Sequence, residues 1–236
     1  TNRNGQNAAN HSDQFPEDYL TFSTFFGGAL YDLGMDVYVD SNNKIYLMGN
    51  TTSVDLPQST GCSLYQPAGG QDIFITKFGP SASSIEYITY LGGYTYDLGN
   101  SMVVGNTGEI FITGFTTSDD FPVSDDSPGS IPAFDPTFNA GQSPFITKIS
   151  SSGNHLDYST YYGSGQGQNI ALDSAGSVYI VGQTVDSDFP ITTGAFGETF
   201  NGNFDGFIVN FDDSFTRIYA SFIGGNLSDC ETEYDY

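Results

Sequence analysis

The sequence repeats itself, and this repetition constrains the fold more than any other feature. A four-residue signature, two bulky residues followed by two small ones, occurs four times at intervals of 65, 71 and 61 residues. Such self-similarity is typical of repeat architectures, in which each repeat is one supersecondary unit. The four copies are Phe25-Phe26-Gly27-Gly28, Tyr90-Leu91-Gly92-Gly93, Tyr161-Tyr162-Gly163-Ser164 and Phe222-Ile223-Gly224-Gly225.

Each interval begins with a predicted β-hairpin. Two runs of alternating apolar residues flank a turn of Asn, Ser or Gly, which is the pattern of a tight hairpin. In the first copy the run 36–40 leads through the turn 41–43 into the run 44–49. The other two copies pair 101–104 with 109–114, and 169–173 with 177–182.

A polar loop and a second hairpin complete each interval. The loop contains Pro57, Pro122 or Pro190, each preceded by Leu or Phe. Four short strands per repeat without helical periodicity are typical of β-propeller blades. A β-sandwich is the alternative, but sandwich strands are not normally copies of one another. The second hairpins are 72–78 with 85–90, 144–149 with 156–161, and 206–211 with 217–222.

These motifs resemble the SBBP-type β-propeller repeats of large bacterial and archaeal cell-surface and secreted proteins. The resemblance rests on the Tyr-Leu-Gly-Gly strand end, the hairpin that closes on Gly, the Ser-x-Asp-Phe-Pro loop and the Ile-Thr-Lys strand, and it covers residues 18–225. It implies an extracellular propeller module. It names no activity, because a shared fold does not confer a shared function.

The repeats predict an all-β, propeller-like array of three four-stranded units with an extra N-terminal strand at 20–25. Propellers typically have about four to eight blades, so three leave a ring open. Three explanations of the low blade count stay open. The chain is a fragment of a longer propeller, it forms a small closed ring, or its sheets are completed by strand exchange between copies. The expected divisions are a polar N-terminal arm at 1–18 and a repeat domain at 19–236, with repeats near 19–85, 86–156 and 157–218 and a partial repeat at 219–236.

The charge balance narrows the range of partners. The chain carries 28 Asp and Glu residues against 5 Lys and Arg, which gives a formal net charge of −23. Five scattered cations cannot form the basic patch that binds nucleic acid, and an anionic membrane surface would repel the chain. No apolar run approaches the ~18 residues of a spanning helix, so we expect no membrane insertion. Disorder is not expected, because 38% hydrophobic residues can supply a core.

Catalytic motifs are scarce in the sequence. His11 lies in the polar leader and His155 in a hairpin turn, so neither position indicates a Ser-His-acid arrangement. Neighbouring carboxylates leave a glycan hydrolase or lyase open, because glycosidases use two carboxylates about 5–10 Å apart. With 28 acidic residues such pairs also arise by chance, so we expect no enzyme. The pairs are Asp119-Asp120, Asp125-Asp126, Asp186 with Asp188, and Asp212-Asp213.

Calcium is the cofactor that these loops would suit best. A hard cation takes oxygen ligands from Asp, Asn and Ser side chains and from carbonyls. The alternative is that the acids cap turns by accepting hydrogen bonds from nearby backbone N–H groups. The candidate ligands are Asp119, Asp120, Asp186 and Asp188.

Two cysteines and three sequons are compatible with the extracellular location that the resemblance implies. Cys62 and Cys230 fit no metal-ligand spacing, and we expect one disulfide, either within a chain or between consecutive copies. Two free buried thiols are the alternative. The sequons make Asn50, Asn10 and Asn226 candidate glycosylation sites, with Asn50 favoured because it follows a predicted strand end.

These features favour an extracellular or cell-surface structural subunit. Its partners would be copies of itself, joined into a filament or surface layer through sheet edges and aromatic contacts. The first alternative is a secreted adhesion or glycan-binding propeller, with Tyr94, Tyr96 and Tyr162 stacking on sugars. The second alternative is a carboxylate-dependent glycan hydrolase or lyase.

Overall fold

The computed structural model describes residues 23–57, 67, 69–125, 130–139 and 141–225. These residues form three four-stranded antiparallel sheets, each with its strands in sequence order, which confirms the predicted all-β class and the four-strand repeat. Sheet 1 contains β1 (Asp32–Val39), β2 (Ile45–Thr51), β3 (Asp72–Phe78) and β4 (Ile85–Leu91). Sheet 2 contains β5 (Asp97–Val104), β6 (Ile110–Thr116), β7 (Ser143–Ile149) and β8 (Leu156–Tyr161). Sheet 3 contains β9 (Gln166–Leu172), β10 (Val178–Thr184), β11 (Asp205–Phe211) and β12 (Arg217–Ile223).

Helix is almost absent from the described residues. The one helical element there is a three-residue 3-10 turn at Pro80–Ala82. No helix in the described part of the chain is long and apolar enough to cross a membrane. Half of the expected N-terminal strand at 20–25 lies outside the described residues, and its described half, 23–25, is not in a strand. The expected arm at 1–18 also lies outside them.

The first strand of each sheet is longer than its apolar pattern predicts. β1 and β5 begin at Asp32 and Asp97, four residues before the predicted starts. The pattern misses these starts because glycine is a poor strand former, although Gly34 and Gly99 do pair with β2 and β6. The register then shifts by one residue in both strands, directly after the paired glycine. Such a bulge bends the strand and increases its twist.

The turns of the first hairpins agree with the prediction. Asn43, Gly108 and Gly176 occupy the same turn position, with positive φ values of 58°, 91° and 89°. The backbone N–H of each donates to the carbonyl three residues earlier, at 3.0, 3.0 and 3.1 Å. Asn and Gly adopt this left-handed conformation most readily, so the Asn/Gly turns identified in the sequence are confirmed.

The hydrophobic core lies between the sheets. β5 packs across β1, β2 and β3, and β9 packs across β5, β6 and β7. A cluster that includes Met48 and Met102 joins sheet 1 to sheet 2, and a cluster that includes Tyr158 and Phe207 joins sheet 2 to sheet 3. A smaller cluster, around Phe74, lies on the opposite face of sheet 1. Each sheet is therefore stabilised mainly by its neighbours.

Candidate functional site

The first strand of sheet 1 exposes side chains that the other two sheets bury. Val37 of β1 is 62% exposed, whereas Met102 and Ile170, at the same repeat position in β5 and β9, are both 5% exposed. Met102 and Ile170 are covered because a sheet precedes theirs, and no sheet among the described residues precedes sheet 1. We call this surface the leading face. It consists of Val37 and Val39, which the register places on one face of β1.

Sheet 3 exposes the complementary surface. Tyr179 is 37% exposed, whereas its counterparts Tyr46 and Phe111 are 1% and 6% exposed. Tyr46 and Phe111 face a following sheet, which sheet 3 lacks within the described residues. We call this surface the trailing face, and it consists of Tyr179, Val181 and Ile223. The repeat count indicates an open array, but the residues of the two faces cannot be identified from the sequence, because all copies have the same apolar pattern. Comparing solvent exposure at equivalent positions identifies them.

The junction between sheets 1 and 2 contains specific polar contacts. The Asn50 side chain accepts a hydrogen bond from the Gly99 N–H at 2.9 Å and donates to the Gly99 carbonyl at 3.3 Å. The Asp36 carboxylate accepts from the Met102 N–H at 2.8 Å and from the Ser101 hydroxyl at 3.3 Å. These contacts fix the orientation of β5 against sheet 1, because each pairs a side chain with a particular backbone or hydroxyl group.

A hairpin turn of each later sheet lies on a tyrosine of the sheet before it. Gly153, with φ of 72°, approaches the Tyr87 ring so closely that a Cβ at this position would collide with it. Phe215, with φ of 60°, is at the same turn position in sheet 3 and stacks on Tyr158. The backbone N–H of each residue donates the turn hydrogen bond to the carbonyl three positions earlier. The same contact is therefore made twice with different side chains.

Two predicted metal ligands lie in the loop after β6. The Asp120 carboxylate accepts a hydrogen bond from the Tyr94 N–H at 2.9 Å. Its counterpart in sheet 1, Asp55, accepts from the Ala29 N–H at the same distance of 2.9 Å. Asp119 is exposed. The repeated contact gives Asp120 a structural role, which is the alternative interpretation of these acids.

The other two predicted ligands lie in the loop after β10. The Asp186 carboxylate accepts from the Asp188 N–H at 2.8 Å, which is a local turn contact. The described residues contain no group of three or more His, Cys, Asp or Glu side chains that could hold a metal ion. The calcium site therefore stays a prediction, and the structure does not bring the two loops together as one carboxylate cluster.

A buried acid network was missed by the sequence analysis. Asp97 is fully buried, and its carboxylate accepts hydrogen bonds from the Gly93 N–H at 2.7 Å, the Ser118 hydroxyl at 3.0 Å and the Thr116 hydroxyl. Burial raises the pKa of Asp97 above its ordinary value, although these three hydrogen bonds oppose the shift. The spacing Gly-Gly-x-x-x-Asp, present at 27–32 and 92–97, was the available signal. In the third repeat the strand register places Gly165 at this position, so sheet 3 lacks the aspartate.

The favoured glycosylation site does not suit a glycan in this fold. Asn50 is 0% exposed, and the side-chain nitrogen that would carry a glycan donates to Gly99. A sugar at that nitrogen would replace the hydrogen bond and would need space between two packed sheets. The other two glycosylation candidates, Asn10 and Asn226, lie outside the described residues, as do both cysteines of the expected disulfide, Cys62 and Cys230.

The three tyrosines considered for sugar stacking differ in exposure. Tyr94 and Tyr96 are exposed in the loop before β5. Tyr162 is buried between sheets 2 and 3, and its hydroxyl donates to the Pro190 carbonyl at 2.6 Å, so it is not available for stacking. A separate cleft of about 640 Å³ lies among the hairpin ends and has a polar lining. Its lining includes Tyr38, Glu109, Phe111, Lys148, Asp173 and Asp213.

The remaining carboxylate pairs and the described histidine make local contacts. The Asp212 carboxylate accepts from the N–H groups of Ser214 and Thr216, at 3.0 and 2.8 Å, and so shapes the turn before β12. His155 is exposed and lies 3.0 Å from the Asp157 carboxylate. These contacts give Asp212 and His155 local structural roles. Asp126 and His11 lie outside the described residues.

Comparison with known proteins adds no family to these observations. No protein-family model matches the chain, and no curated protein matches it. The resemblance to SBBP-type repeats therefore stays a prediction from the motifs, and the function must be argued from the two end faces.

Proposed function

We propose that this chain is an extracellular structural subunit whose copies assemble head to tail into a filament or surface layer. In this proposal the three sheets are consecutive blades of an open β-propeller. Packing of each sheet against the next, with contacts repeated from junction to junction, supports the propeller-like arrangement. The motif resemblance to SBBP-type repeats points to the same architecture.

The exposure of Val37 is the observation on which the proposal depends. The same position is 62% exposed in sheet 1 but 5% exposed in sheets 2 and 3, where a preceding sheet covers it. Burying exposed apolar surface is favourable by about 25 cal/mol per Å², so the leading face has a reason to be covered. A contact between two different surfaces of identical subunits produces a filament when the rotation that it repeats does not close a ring.

The trailing face supplies the matching surface. Tyr179 and Val181 occupy the positions at which Tyr46 and Met48 receive β5 at the internal junction. Because β1 is the counterpart of β5, the leading face of a second copy fits the trailing face in the way that sheet 2 fits sheet 1. Each internal junction is thus a template for the contact between copies.

The location outside the cell is supported by composition rather than by geometry. The chain has three sequons and two cysteines without metal-ligand spacing, and the resembled repeats belong to surface and secreted proteins. Labelling producing cells with a membrane-impermeant amine reagent tests this part of the proposal. Labelled protein on intact cells is expected, and protein that is labelled only after lysis would contradict it.

Electron microscopy and mass photometry of purified protein test the assembly. The wild type should form regular polymers as concentration rises. Val37→Asp should abolish them, because an unpaired carboxylate would be buried in the contact. Val54→Asp is the matched control, since Val54 is 68% exposed in a loop outside both end faces. A wild type that stays monomeric at every concentration, or a Val37→Asp variant that polymerises normally, would overturn the proposal.

Glycan binding is the second candidate function. Tyr94 and Tyr96 are exposed in one loop, and aromatic rings suit stacking on the apolar faces of sugars. A glycan array probed with wild type and with Tyr94→Ala tests this candidate. Binding that the substitution removes would favour it, whereas an array without binding would count against it.

A further inference from the structure

Phe26 fills a site on sheet 1 that a preceding sheet would otherwise fill. In the repeated signature Phe26 is the counterpart of Leu91 and Tyr162. Leu91 is the last residue of β4 and Tyr162 directly follows β8, and each packs on the sheet that follows its own. The Phe26 ring meets the Phe78 ring edge-on, with centroids 5.7 Å apart and an interplanar angle of 77°. It also lies 5.5 Å from the Phe74 ring.

The contacts of Tyr162 reproduce this arrangement at an internal junction. Its ring meets the Phe211 ring edge-on, with centroids 5.8 Å apart and an angle of 84°. Phe211 ends β11 as Phe78 ends β3. Phe26 therefore contacts sheet 1 as the last residue of a preceding sheet would contact it, although it belongs to the same chain.

Ile223 is the fourth counterpart and has no such site. Leu91 and Tyr162 are 0% and 1% exposed, whereas Ile223, at the end of β12, is 49% exposed. In the described residues no following sheet covers it. In one chain, therefore, Phe26 occupies the site formed by Phe74 and Phe78. Ile223, which is the counterpart of Phe26, is exposed in the same chain.

We propose that Ile223 of a second copy displaces Phe26 from the site formed by Phe74 and Phe78 when two copies pack. This inference rests on the proposed function. Two side chains cannot occupy one position, so the N-terminal residue has to leave as the last residue of β12 enters. Phe26 then acts as a placeholder that keeps the leading face partly closed in the free chain.

The hairpin turns independently indicate the same register. Ala82, with φ of 52°, occupies the turn position of Gly153 and Phe215, which lie on Tyr87 and Tyr158. The counterpart of these tyrosines in sheet 3 is Tyr219, which receives no such turn among the described residues. The arrangement that places Ile223 of the second copy against Phe74 also places Ala82 of the first copy on Tyr219 of the second copy.

Phe26→Ala separates a placeholder from an ordinary interface residue. Removing the competing ring should tighten self-association by about tenfold or more, measured as the dissociation constant by analytical ultracentrifugation. Phe25→Ala is the matched control, because Phe25 is a neighbouring, fully exposed phenylalanine, and it should leave the constant unchanged. Unchanged or weaker association of Phe26→Ala would overturn the inference, because Phe26 would then be neutral or part of the contact.

Substitutions on β12 test whether Ile223 is the side chain that enters the site formed by Phe74 and Phe78. Ile223→Ala should weaken association, whereas Ile218→Ala, also exposed on β12, should not. The counterparts of Ile218 are Glu86 and Asp157, so this position is polar in the other sheets. Equal effects of the two substitutions would overturn the assignment of Ile223.

A cross-linking experiment tests the register without relying on Phe26. Chains with Ala82→Cys are mixed with chains with Tyr219→Cys, both in a Cys62→Ser, Cys230→Ser background, and treated with a short bismaleimide. A covalent heterodimer is expected, and its absence from associated protein would overturn the register. Association of the wild type without this product leaves the proposed function standing, whereas a monomeric wild type defeats the proposed function itself.

Discussion

The ring of Phe215 stacks on the ring of Tyr158, with centroids 3.9 Å apart and planes inclined by 22°, although the two residues belong to different sheets. Phe215 also stacks on Phe111, at 6.3 Å, so one turn residue of sheet 3 bridges two strands of sheet 2. Phe215 is 7% exposed despite its place in a hairpin turn. The turn thus acts as part of the core.

Phe215→Ala is therefore expected to lower the free energy of unfolding by about 3 kcal/mol, because it removes a buried ring and leaves a cavity. Urea denaturation followed by tyrosine fluorescence measures the change. Phe196→Ala, at a position 92% exposed, should stay within about 0.5 kcal/mol of the wild type. Similar losses for both variants would show that the turn contributes little to the junction.

Asp97 should make stability depend on pH. Its pKa is raised in the folded state by burial, so the folded chain binds a proton more tightly than the unfolded chain does. The stability contributed by the protonated acid is complete below the ordinary value of 3.8 and is lost as pH rises through the raised pKa. The difference in unfolding free energy between wild type and Asp97→Asn should thus shrink as pH rises from about 3.8.

Denaturation of both proteins across that pH range supplies the measurement. Asp157→Asn, at a more accessible position in β8, is the control for the general effect of removing one negative charge. A difference that widens with pH would mean that the hydrogen bonds from Gly93, Thr116 and Ser118 outweigh burial.

Asn50→Ala should destabilise the junction between sheets 1 and 2. It leaves both backbone groups of buried Gly99 without their side-chain partner, at a cost of about 2–3 kcal/mol. Thermal unfolding of the variant is compared with that of Asn42→Ala, whose position in the first hairpin turn is exposed. Equal melting temperatures of the two variants would contradict a structural role for Asn50.

Salt should strengthen the assembly. Copies that each carry a net charge of −23 repel one another, and this repulsion is screened as the Debye length falls from about 30 Å at ~10 mM to about 8 Å at ~150 mM salt. Light scattering should therefore rise over this range. If loop carboxylates also hold Ca²⁺, a chelator at low salt should loosen the polymer, and indifference to both treatments would count against a role for cations.

Electrophoresis with and without reductant tests the expected Cys62–Cys230 disulfide. A bond within one chain should shift the mobility of the monomer, and a bond between copies should produce a ladder. The chain-entropy model gives about 4–5 kcal/mol for closing a loop of this length, so the reduced protein should melt earlier. Identical migration under both conditions would leave two free thiols.

The strands were predictable from their apolar residues, except for the starts of β1, β5 and β9. The segments 110–114 and 178–182 begin with short apolar runs of strand length and lie within β6 and β10. β5 begins earlier because Gly99 pairs with Gly114 and is held by Asn50, a contact between residues far apart in sequence. Local propensity contains no information about such a partner.

The candidate site was predictable only in part, and for a similar reason. The repeat count indicated unpaired edges, but Val37 and Met102 have the same apolar character, and their difference in exposure comes from the neighbouring sheet. Asp97 has no signal of burial beyond its distance from two glycines. Exposure is a property of the assembly of sheets and cannot be derived from one strand alone.

The placement of the core between sheets also determines how the molecule opens. Among the described residues, sheet 2 packs against another sheet on both faces, while sheets 1 and 3 each pack against another sheet on one face. Stability in such an array is a sum of nearest-neighbour terms, so local unfolding should begin at the ends. Backbone amides of β6 and β7 would then exchange their hydrogens most slowly, and a docked copy would extend that protection outward to the terminal sheets.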